Sequence, residues 1–219
     1  MQKSENVFLK MKEKLYSAVI SDSLDDLGFR NQVMREDITS LKEGDIIVGR
    51  AKTILAVDVD YIPDDPYGKE IEAIDSIVPD EVVVASTNQS KQNGMWGELL
   101  STASKVRGAN GAVIDGFVRD TQKILDLDFP VYATGRKPVD SKGRGIVLNY
   151  DCLVNCGGVI VQPGDFVFAD IDGVVVIPNQ LFDQVVELSL DKVKRENSTR
   201  DELLAGGYLK DIYDKYGVL

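Results

Sequence analysis

The stretch that decides the fold runs from Gly94 to Asp120 and reads GMWGELLSTASKVRGANGAVIDGFVRD. Its first half, up to Arg107, carries apolar residues at the three- and four-residue spacing of a helix. These are Trp96, Leu99, Leu100, Ala103 and Val106. Its second half holds the apolar run Ala112–Ile114, which predicts a buried strand. We therefore expect one helix, one strand, and then the polar pair Arg119–Asp120 at the strand end.

The rest of the chain continues this mixture of elements. Helices are predicted over residues 4–27, 179–197 and 209–216, and a loop over residues 60–68. Strand–helix–strand units in the middle of the chain favour a parallel sheet. The strand-rich stretch after Ile146 favours antiparallel pairing. We predict a mixed α/β layered fold. No repeat or Gly/Ser linker divides the chain, so we expect one domain over residues 1–219 with a helical C-terminal tail.

Composition excludes several classes of chemistry. The chain has 219 residues, no histidine and a formal net charge of −11. Without histidine, Ser-His-Asp and Cys-His mechanisms and imidazole-based metal sites are impossible. The acidic balance argues against nucleic acid and against an anionic membrane surface as partners. If the chain is an enzyme, its chemistry comes from carboxylates, arginine, lysine, tyrosine, hydroxyls, backbone amides or a hard metal ion.

The two cysteines indicate a reducing compartment. Cys152 and Cys156 lie roughly 13 Å apart if the segment between them is extended, too far for a disulfide. We interpret them as two small, partly buried free thiols. The N-terminus has no apolar segment of the signal-peptide type, and no run approaches the ~20 apolar residues that span a bilayer. The sequence thus predicts a cytoplasmic protein.

Two glycines and a charged pair form the candidate site. Gly94 and Gly97 allow tight backbone at a helix start, where free amides favour a carboxylate. Asp120 can bind a hard cation, and the Arg119 guanidinium can donate paired hydrogen bonds to an anionic oxygen. Structural alternatives stay open, because Asp120 is also a favoured N-cap and Arg119 a common ion-pair partner. Glu98, in the first helical turn, is also favoured by the helix dipole without any function.

Taken together, these residues resemble a known signature. An acid, here Glu98, followed by residues 99–118 and then Arg119–Asp120 is similar to the motif of class II 4-hydroxy-4-methyl-2-oxoglutarate aldolases. These enzymes belong to the family named after the regulator of ribonuclease E activity A. Other segments fit the family along nearly the whole chain: residues 17–24, 49–53, 113–116, 129–133, 156–159, 163–165, 172–178 and 215–218. The resemblance implies a layered α-β-β-α sandwich of mixed sheets, of the swivelling β/β/α type.

The resemblance also implies roles for individual residues. Asp120 would bind Mg²⁺ or Mn²⁺, and Glu98 would hold a water molecule on that cation. Arg119 would contact the 2-oxo oxygen of the substrate. Backbone amides at the helix start would hold the substrate carboxylate, and these belong to Gly97, Glu98, Leu99 and Leu100. The family often has Asp as its first acid, so the longer Glu98 is expected to shift the bound water and lower activity.

The implied activity is cleavage of a 4-hydroxy-2-oxo acid to pyruvate, with oxaloacetate decarboxylation as a side activity. The implied assembly is a homotrimer or a homohexamer of stacked trimers. In such enzymes a C-terminal acid reaches the site of the next subunit, and Glu196 is the candidate here, acting as a base through water. The alternative is that Glu196 is an exposed helix charge.

Other functions remain open at this point. Some family members are non-catalytic regulators that bind and inhibit a ribonuclease, although the intact Arg119–Asp120 pair favours the enzyme. A Schiff-base aldolase would need Lys105 or Lys123 to be desolvated. The acidic segment over residues 58–65 is either a second cation site or a solvated loop.

Overall fold

A computed structural model describes residues 2–218 of the chain, and the side chains of residues 7–218. The helices are α1 (Gln2–Lys14), α2 (Ser17–Asp26), α3 (Gly68–Asp75), α4 (Glu98–Val106), α5 (Thr121–Asp126), α6 (Phe182–Leu204) and α7 (Leu209–Tyr216). The strands are β1 (Thr39–Ser40), β2 (Ile47–Asp58), β3 (Glu81–Ser86), β4 (Gly94–Trp96), β5 (Gly111–Val118), β6 (Val131–Arg136), β7 (Gly145–Tyr150), β8 (Val154–Cys156), β9 (Val159–Val161), β10 (Phe166–Asp170) and β11 (Gly173–Ile177).

Nine of these strands form one mixed sheet. Seven of the nine follow the order β1-β6-β5-β3-β2-β10-β11. Strands β2, β3, β5 and β6 pair in parallel, as the strand–helix–strand pattern predicts. Strands β10 and β11 are antiparallel, as predicted for the later part of the chain. Strand β4 joins the edge of β5, and β7 joins β2. Strands β8 and β9 form a separate antiparallel ribbon.

The sheet curves so that its two halves face one another. Alternate residues of β3, such as Val82 and Val84, belong to the same buried cluster as Val167 of β10 and Val174 of β11. The opposite face of the β3 half, including Val83, packs against α3, α4 and α5. The opposite face of the β10–β11 half packs against α1, α2 and α6. This gives an α-β-β-α order of layers, and the predicted fold class is confirmed.

Two helix predictions change in detail. The helix expected over residues 4–27 is broken, because Tyr16 is extended with φ −142° and ψ 159°. The helix expected from Gly94 begins at Glu98, and the residues before it form β4. The predicted apolar face of that helix is wrong at two positions, since Leu99 is 76% exposed and Val106 is 83% exposed. Trp96 is fully buried, but it lies on β4 and not on the helix.

The cysteines are free thiols, as predicted. Cys156 is buried, and burial raises the pKa of its thiol well above the usual range. Among the described residues, no helix has the length and apolar character required to cross a bilayer.

Asp170 explains the break between α1 and α2. It lies at the end of β10, is 8% exposed, and accepts hydrogen bonds from the Ser17 amide at 2.8 Å and the Ser17 hydroxyl at 2.6 Å. It also accepts a bond from the Asp172 amide at 3.0 Å. Two free amides are thereby satisfied, one of them at the start of α2. A contact from a distant strand therefore fixes where α2 begins.

The first prediction concerns this contact. Asp170→Ala leaves buried donors at Ser17 without an acceptor, and each such group costs about 1–3 kcal/mol. We expect the free energy of unfolding in urea to fall by at least this amount. Asp172→Ala is the matched control, because its carboxylate is exposed. Equal stability of the two variants would contradict the role given to Asp170.

Candidate functional site

The candidate site begins where β5 ends. Strand β4 pairs in parallel with the end of β5, and the Arg119 amide donates a 2.8 Å hydrogen bond to the Trp96 carbonyl. Asp120 then adopts the left-handed conformation, with φ 55° and ψ 31°. Few residues other than glycine take this conformation, and Asp and Asn do so most readily. The backbone therefore turns sharply, and both charged side chains lie beside the start of α4.

Gly97 makes this arrangement possible. A Cβ atom placed on Gly97 would lie 2.9 Å from Asp120 Oδ2 and 3.3 Å from Arg119 Cγ. Any larger residue would have to displace the carboxylate. The sequence-predicted residues Gly97, Arg119 and Asp120 are thus brought together in one place, and the missing side chain is what lets them meet.

The start of α4 is held rigidly. The Trp96 indole donates to Ser101 Oγ at 2.8 Å, and the Ser101 hydroxyl donates to the Gly97 carbonyl at 3.0 Å. The Glu98 carboxylate accepts a 2.8 Å bond from the Thr102 hydroxyl, one turn along the helix. By helix geometry the first amides of α4 have no helical acceptor and carry partial positive charge. The site thus presents fixed amides next to Arg119.

Asp120 occupies the N-cap position of α5, but its side chain makes no capping hydrogen bond. Its nearest charged partner is Arg119, with Nε 3.9 Å from Oδ2, and its side chain is 46% exposed. The capping alternative therefore does not account for this carboxylate. Among the side chains of residues 7–218, no cluster of three or more His, Cys, Asp or Glu residues could hold a metal. A cation here would take one protein carboxylate, with water and substrate oxygens completing the shell, as suits Mg²⁺.

Arg119 has a second carboxylate partner that sequence reasoning missed. Its Nη2 lies 3.1 Å from Asp140 Oδ1. Asp140 follows β6, in the segment before β7, and its Oδ2 accepts a 2.5 Å bond from the Tyr67 hydroxyl. That hydrogen bond, with burial, raises the pKa of Tyr67 to about 12. The guanidinium thus lies between Asp120 and Asp140.

Glu70 adds a buried carboxyl to the same region. It lies on α3, is 8% exposed, and lines a cavity of about 10 Å³ together with Asn93 and Ser141. Burial, with a smaller contribution from the Asp140 carboxylate and against the opposing effect of Arg119, raises the pKa of Glu70 to about 7. A cavity of this size has room for about one water molecule. Glu70 is therefore a group near Arg119 that changes charge around neutral pH.

Glu196 lies elsewhere in the chain. It is on α6, where it accepts a hydrogen bond from the Tyr16 hydroxyl and lines a groove with Thr199 and Arg200. Burial raises the pKa of its carboxyl, and Arg200 opposes the shift. Within the described residues it forms no hydrogen bond or ion pair with Arg119 or Asp120. Any role in this site would require a second copy of the chain.

Two alternatives find no support in the geometry. Lys105 and Lys123 are both exposed, whereas a Schiff-base lysine must be desolvated. The acidic segment over residues 58–65 runs from the end of β2 into an irregular, mostly exposed loop. We therefore interpret that segment as a solvated loop.

Comparison with known proteins identifies relatives along most of the chain. The family model for RraA-like proteins, described as Aldolase/RraA, matches residues 17–176. Protein DlpA of Legionella pneumophila is 31% identical over 91% of this chain. The match covers 32% of DlpA, so this chain spans about a third of that protein's length. A Halalkalibacterium halodurans protein, provisionally named a 4-hydroxy-4-methyl-2-oxoglutarate aldolase, is 29% identical over 94% of both chains.

A solved structure supports the same grouping. Streptomyces coelicolor RraAS2 is described as an unusual member of the RNase ES inhibitor RraA protein family. It superimposes with a TM-score of 0.77 at 29% identity, covering 85% of this chain and 91% of its own. The fold and the sequence match therefore agree.

The buried Glu70 gives a pH-dependent stability. Its folded-state pKa of about 7 lies above the ordinary 4.5, so the protonated form stabilises the fold. This contribution is fully present below pH 4.5 and is lost as the pH rises through 7. Glu70→Gln stays neutral, so we expect it to gain stability over the wild type by roughly 1.4 kcal/mol per pH unit across this window.

Urea unfolding of both proteins at pH 5, 6, 7 and 8 measures this difference. Glu72→Gln, at an exposed position of the same helix, is the control and should follow the wild type at every pH. A constant offset between Glu70→Gln and the wild type would show that Glu70 does not titrate in this range.

Proposed function

This chain belongs to the RraA-like family, and we propose that it is a divalent-cation-dependent lyase that cleaves 4-hydroxy-2-oxo acids. The substrate class includes 4-hydroxy-4-methyl-2-oxoglutarate, and the common product is pyruvate. The observation that carries the proposal is the meeting of Gly97, Arg119 and Asp120 at one point. A related side activity is decarboxylation of oxaloacetate, because it passes through the same pyruvate enolate.

The start of α4 suits the carboxylate of the substrate. Unpaired first-turn amides and the helix dipole both favour an anion there. Gly97 leaves the backbone open to close approach, and the Trp96–Ser101 hydrogen bond keeps the turn in place. The amides from Gly97 to Leu100 would hold the carboxylate and so direct the adjacent 2-oxo group toward Arg119.

Asp120 would hold the cation, Mg²⁺ or Mn²⁺. Its carboxylate is half exposed and makes no capping bond, and oxygen ligands suit a hard ion. Glu98, fixed by Thr102, would hold a water molecule of the cation's shell. When bound, the cation supplies Lewis-acid stabilisation of negative charge on the 2-oxo oxygen.

Arg119 would donate hydrogen bonds to that oxygen, where negative charge develops during the reaction. A base removes the proton of the C4 hydroxyl, and C4 becomes a carbonyl as the C3–C4 bond breaks. The electron pair of that bond forms the pyruvate enolate, and protonation at C3 gives pyruvate. The guanidinium is held by the Asp140 carboxylate at 3.1 Å, so little reorganisation is needed as charge builds up.

The base would come from a neighbouring subunit. We propose a homotrimer, or two stacked trimers, in which Glu196 acts through water at the site of the next copy. Burial raises the pKa of its carboxyl toward the range where a carboxylate is an effective base. Leu99, 76% exposed at the edge of the site, is an apolar contact that such a neighbour would cover.

Ribonuclease inhibition is the second candidate, favoured by the description of the Streptomyces relative. The two functions differ in what they require of Asp120. Lyase activity needs its carboxylate, whereas binding of a protein surface does not depend on a single cation ligand. Asp120→Asn therefore separates them when both activities are assayed on the same preparation.

EDTA should abolish pyruvate release from a panel of 4-hydroxy-2-oxo acids, and Mg²⁺ or Mn²⁺ should restore it. Asp120→Asn should lose the cation-dependent activity with a thermal midpoint within a few degrees of the wild type, because Asn also tolerates the left-handed conformation. Asp126→Asn, exposed on α5, is the control and should stay active. Activity that survives thorough chelation would rule out this mechanism.

The prediction on assembly uses mixed oligomers. Arg119→Ala and Glu196→Ala homomers should each lose most activity. Co-refolding the two should recover part of it, because some sites then combine an intact Arg119 with an intact Glu196 from the neighbour. Pyruvate release and native mass spectrometry are measured on the same mixtures. An active Glu196→Ala homomer, or no recovery in confirmed mixed oligomers, would exclude Glu196 as the base.

A further inference from the structure

The segment between β6 and β7 is bound tightly to the strands that carry the site. The Lys137 amide donates to the Val118 carbonyl at 2.9 Å, and the Gly94 amide donates to the Val139 carbonyl at 2.8 Å. A Cβ atom on Gly94 would clash with the Lys137 carbonyl oxygen, so the two backbones are in contact. These contacts fix the backbone position of the next residue, Asp140, beside the end of β5.

The Asp140 carboxylate is held on both oxygens. Oδ1 accepts a 2.9 Å bond from the Ser141 amide and lies 3.1 Å from Arg119 Nη2. Oδ2 accepts the 2.5 Å bond from the Tyr67 hydroxyl, which reaches it from the residue before α3. The carboxylate can therefore act as a fixed anchor, since the Ser141 amide and the Tyr67 hydroxyl set its orientation independently of Arg119.

The anchor has a consequence for Asp120. Arg119 reaches Asp140 at 3.1 Å with its terminal nitrogen, but its Nε stays 3.9 Å from Asp120. A guanidinium released from Asp140 would be free to form a two-pronged pair with the adjacent Asp120 carboxylate, the geometry that arginine prefers. Such a pair would occupy the oxygens that a cation needs. Asp140 thus competes for the guanidinium and keeps Asp120 available.

We infer that Asp140 is a positioning residue, which with Tyr67 holds the Arg119 guanidinium in its working orientation and away from Asp120. The link to catalysis rests on the proposed function, whereas the clamp itself is a property of these three side chains. Asp140 acts through Arg119 and is assigned no contact with substrate.

The clamp is tested first without any activity. Arginine labelled with ¹⁵N reports the order parameter of the Arg119 Nε–H group, assigned by its loss in Arg119→Lys. We expect a rigid value in the wild type. In Asp140→Ala alone the guanidinium can pair with Asp120, so the clamp is tested in an Asp120→Asn background, where Asp140→Ala should lower the order parameter to below about 0.6, the flexible range. Asp75→Asn in the same background, which breaks the separate Arg107–Asp75 pair, is the matched control and should leave Arg119 rigid. An Arg119 signal that Asp140→Ala leaves unchanged in this background would overturn the inference.

The second measurement is Mn²⁺ affinity by electron paramagnetic resonance. Loss of a supporting partner typically weakens metal binding or activity by roughly 10–100-fold, and we expect Asp140→Ala to fall in this range for both Mn²⁺ binding and kcat. In an Arg119→Ala background the same change should have a much smaller effect, because the group that Asp140 restrains is gone. Equal effects in both backgrounds would mean that Asp140 acts by its charge alone, and would overturn the inference.

Tyr67→Phe keeps every charge and removes only the hydroxyl that holds Asp140. It should weaken Mn²⁺ binding and kcat in the same direction as Asp140→Ala, while Tyr61→Phe, at a position 60% exposed, should not. Wild-type behaviour of Tyr67→Phe in both assays would exclude Tyr67 from the clamp. A wild-type protein that releases no pyruvate would refute the proposed function, yet the Arg119 order parameter would still decide whether the clamp exists.

Discussion

The site depends on the pairing of strand β5 along both of its edges. One edge pairs with β3 and then, further along, with β4, while the other edge pairs with β6. This pairing holds the strand end in register with the start of α4. The two charged residues that follow β5 therefore emerge at a fixed point, and the αL turn at Asp120 directs them toward Gly97.

Carboxyl groups are concentrated around that point. Arg119 lies among three carboxyl groups: Asp140 at 3.1 Å, Asp120 at 3.9 Å, and Glu70, which acts over a longer range. A bound cation at Asp120 would bring the cluster closer to neutrality, and protonation of Glu70 serves the same end. Carboxyl groups outnumber this guanidinium, which supports the cation proposed for Asp120.

The mixed α/β layers and the position of the Arg119–Asp120 pair could be predicted from the sequence. Both depend on local signals, which are the hydrophobic periodicity and the Glu98…Arg119–Asp120 motif. The break before Ser17 could not, since it depends on Asp170 from a strand far along the chain. Asp140 carries no motif, and only tertiary pairing brings it to the site. Glu70 did leave a trace in the sequence. It shares a helical face with the buried residues Ala73 and Ile74, and a carboxylate on such a face is a signal that pattern analysis can use.

Strand β2 constrains how homologous sequences can be aligned. It pairs with β10 over Ile47–Arg50 and with β7 over Ile54–Asp58. Because side chains alternate between faces, one residue inserted between these two blocks would reverse the facing of the second block unless a β-bulge absorbed it, as the irregularity between Leu55 and Ala56 does against β7. A one-residue gap placed there in an alignment of relatives therefore requires a bulge, whereas gaps in the exposed segment over residues 59–65 do not affect the sheet. The pairing pattern of this strand thus fixes the frame in which the other residues of the chain are compared across relatives.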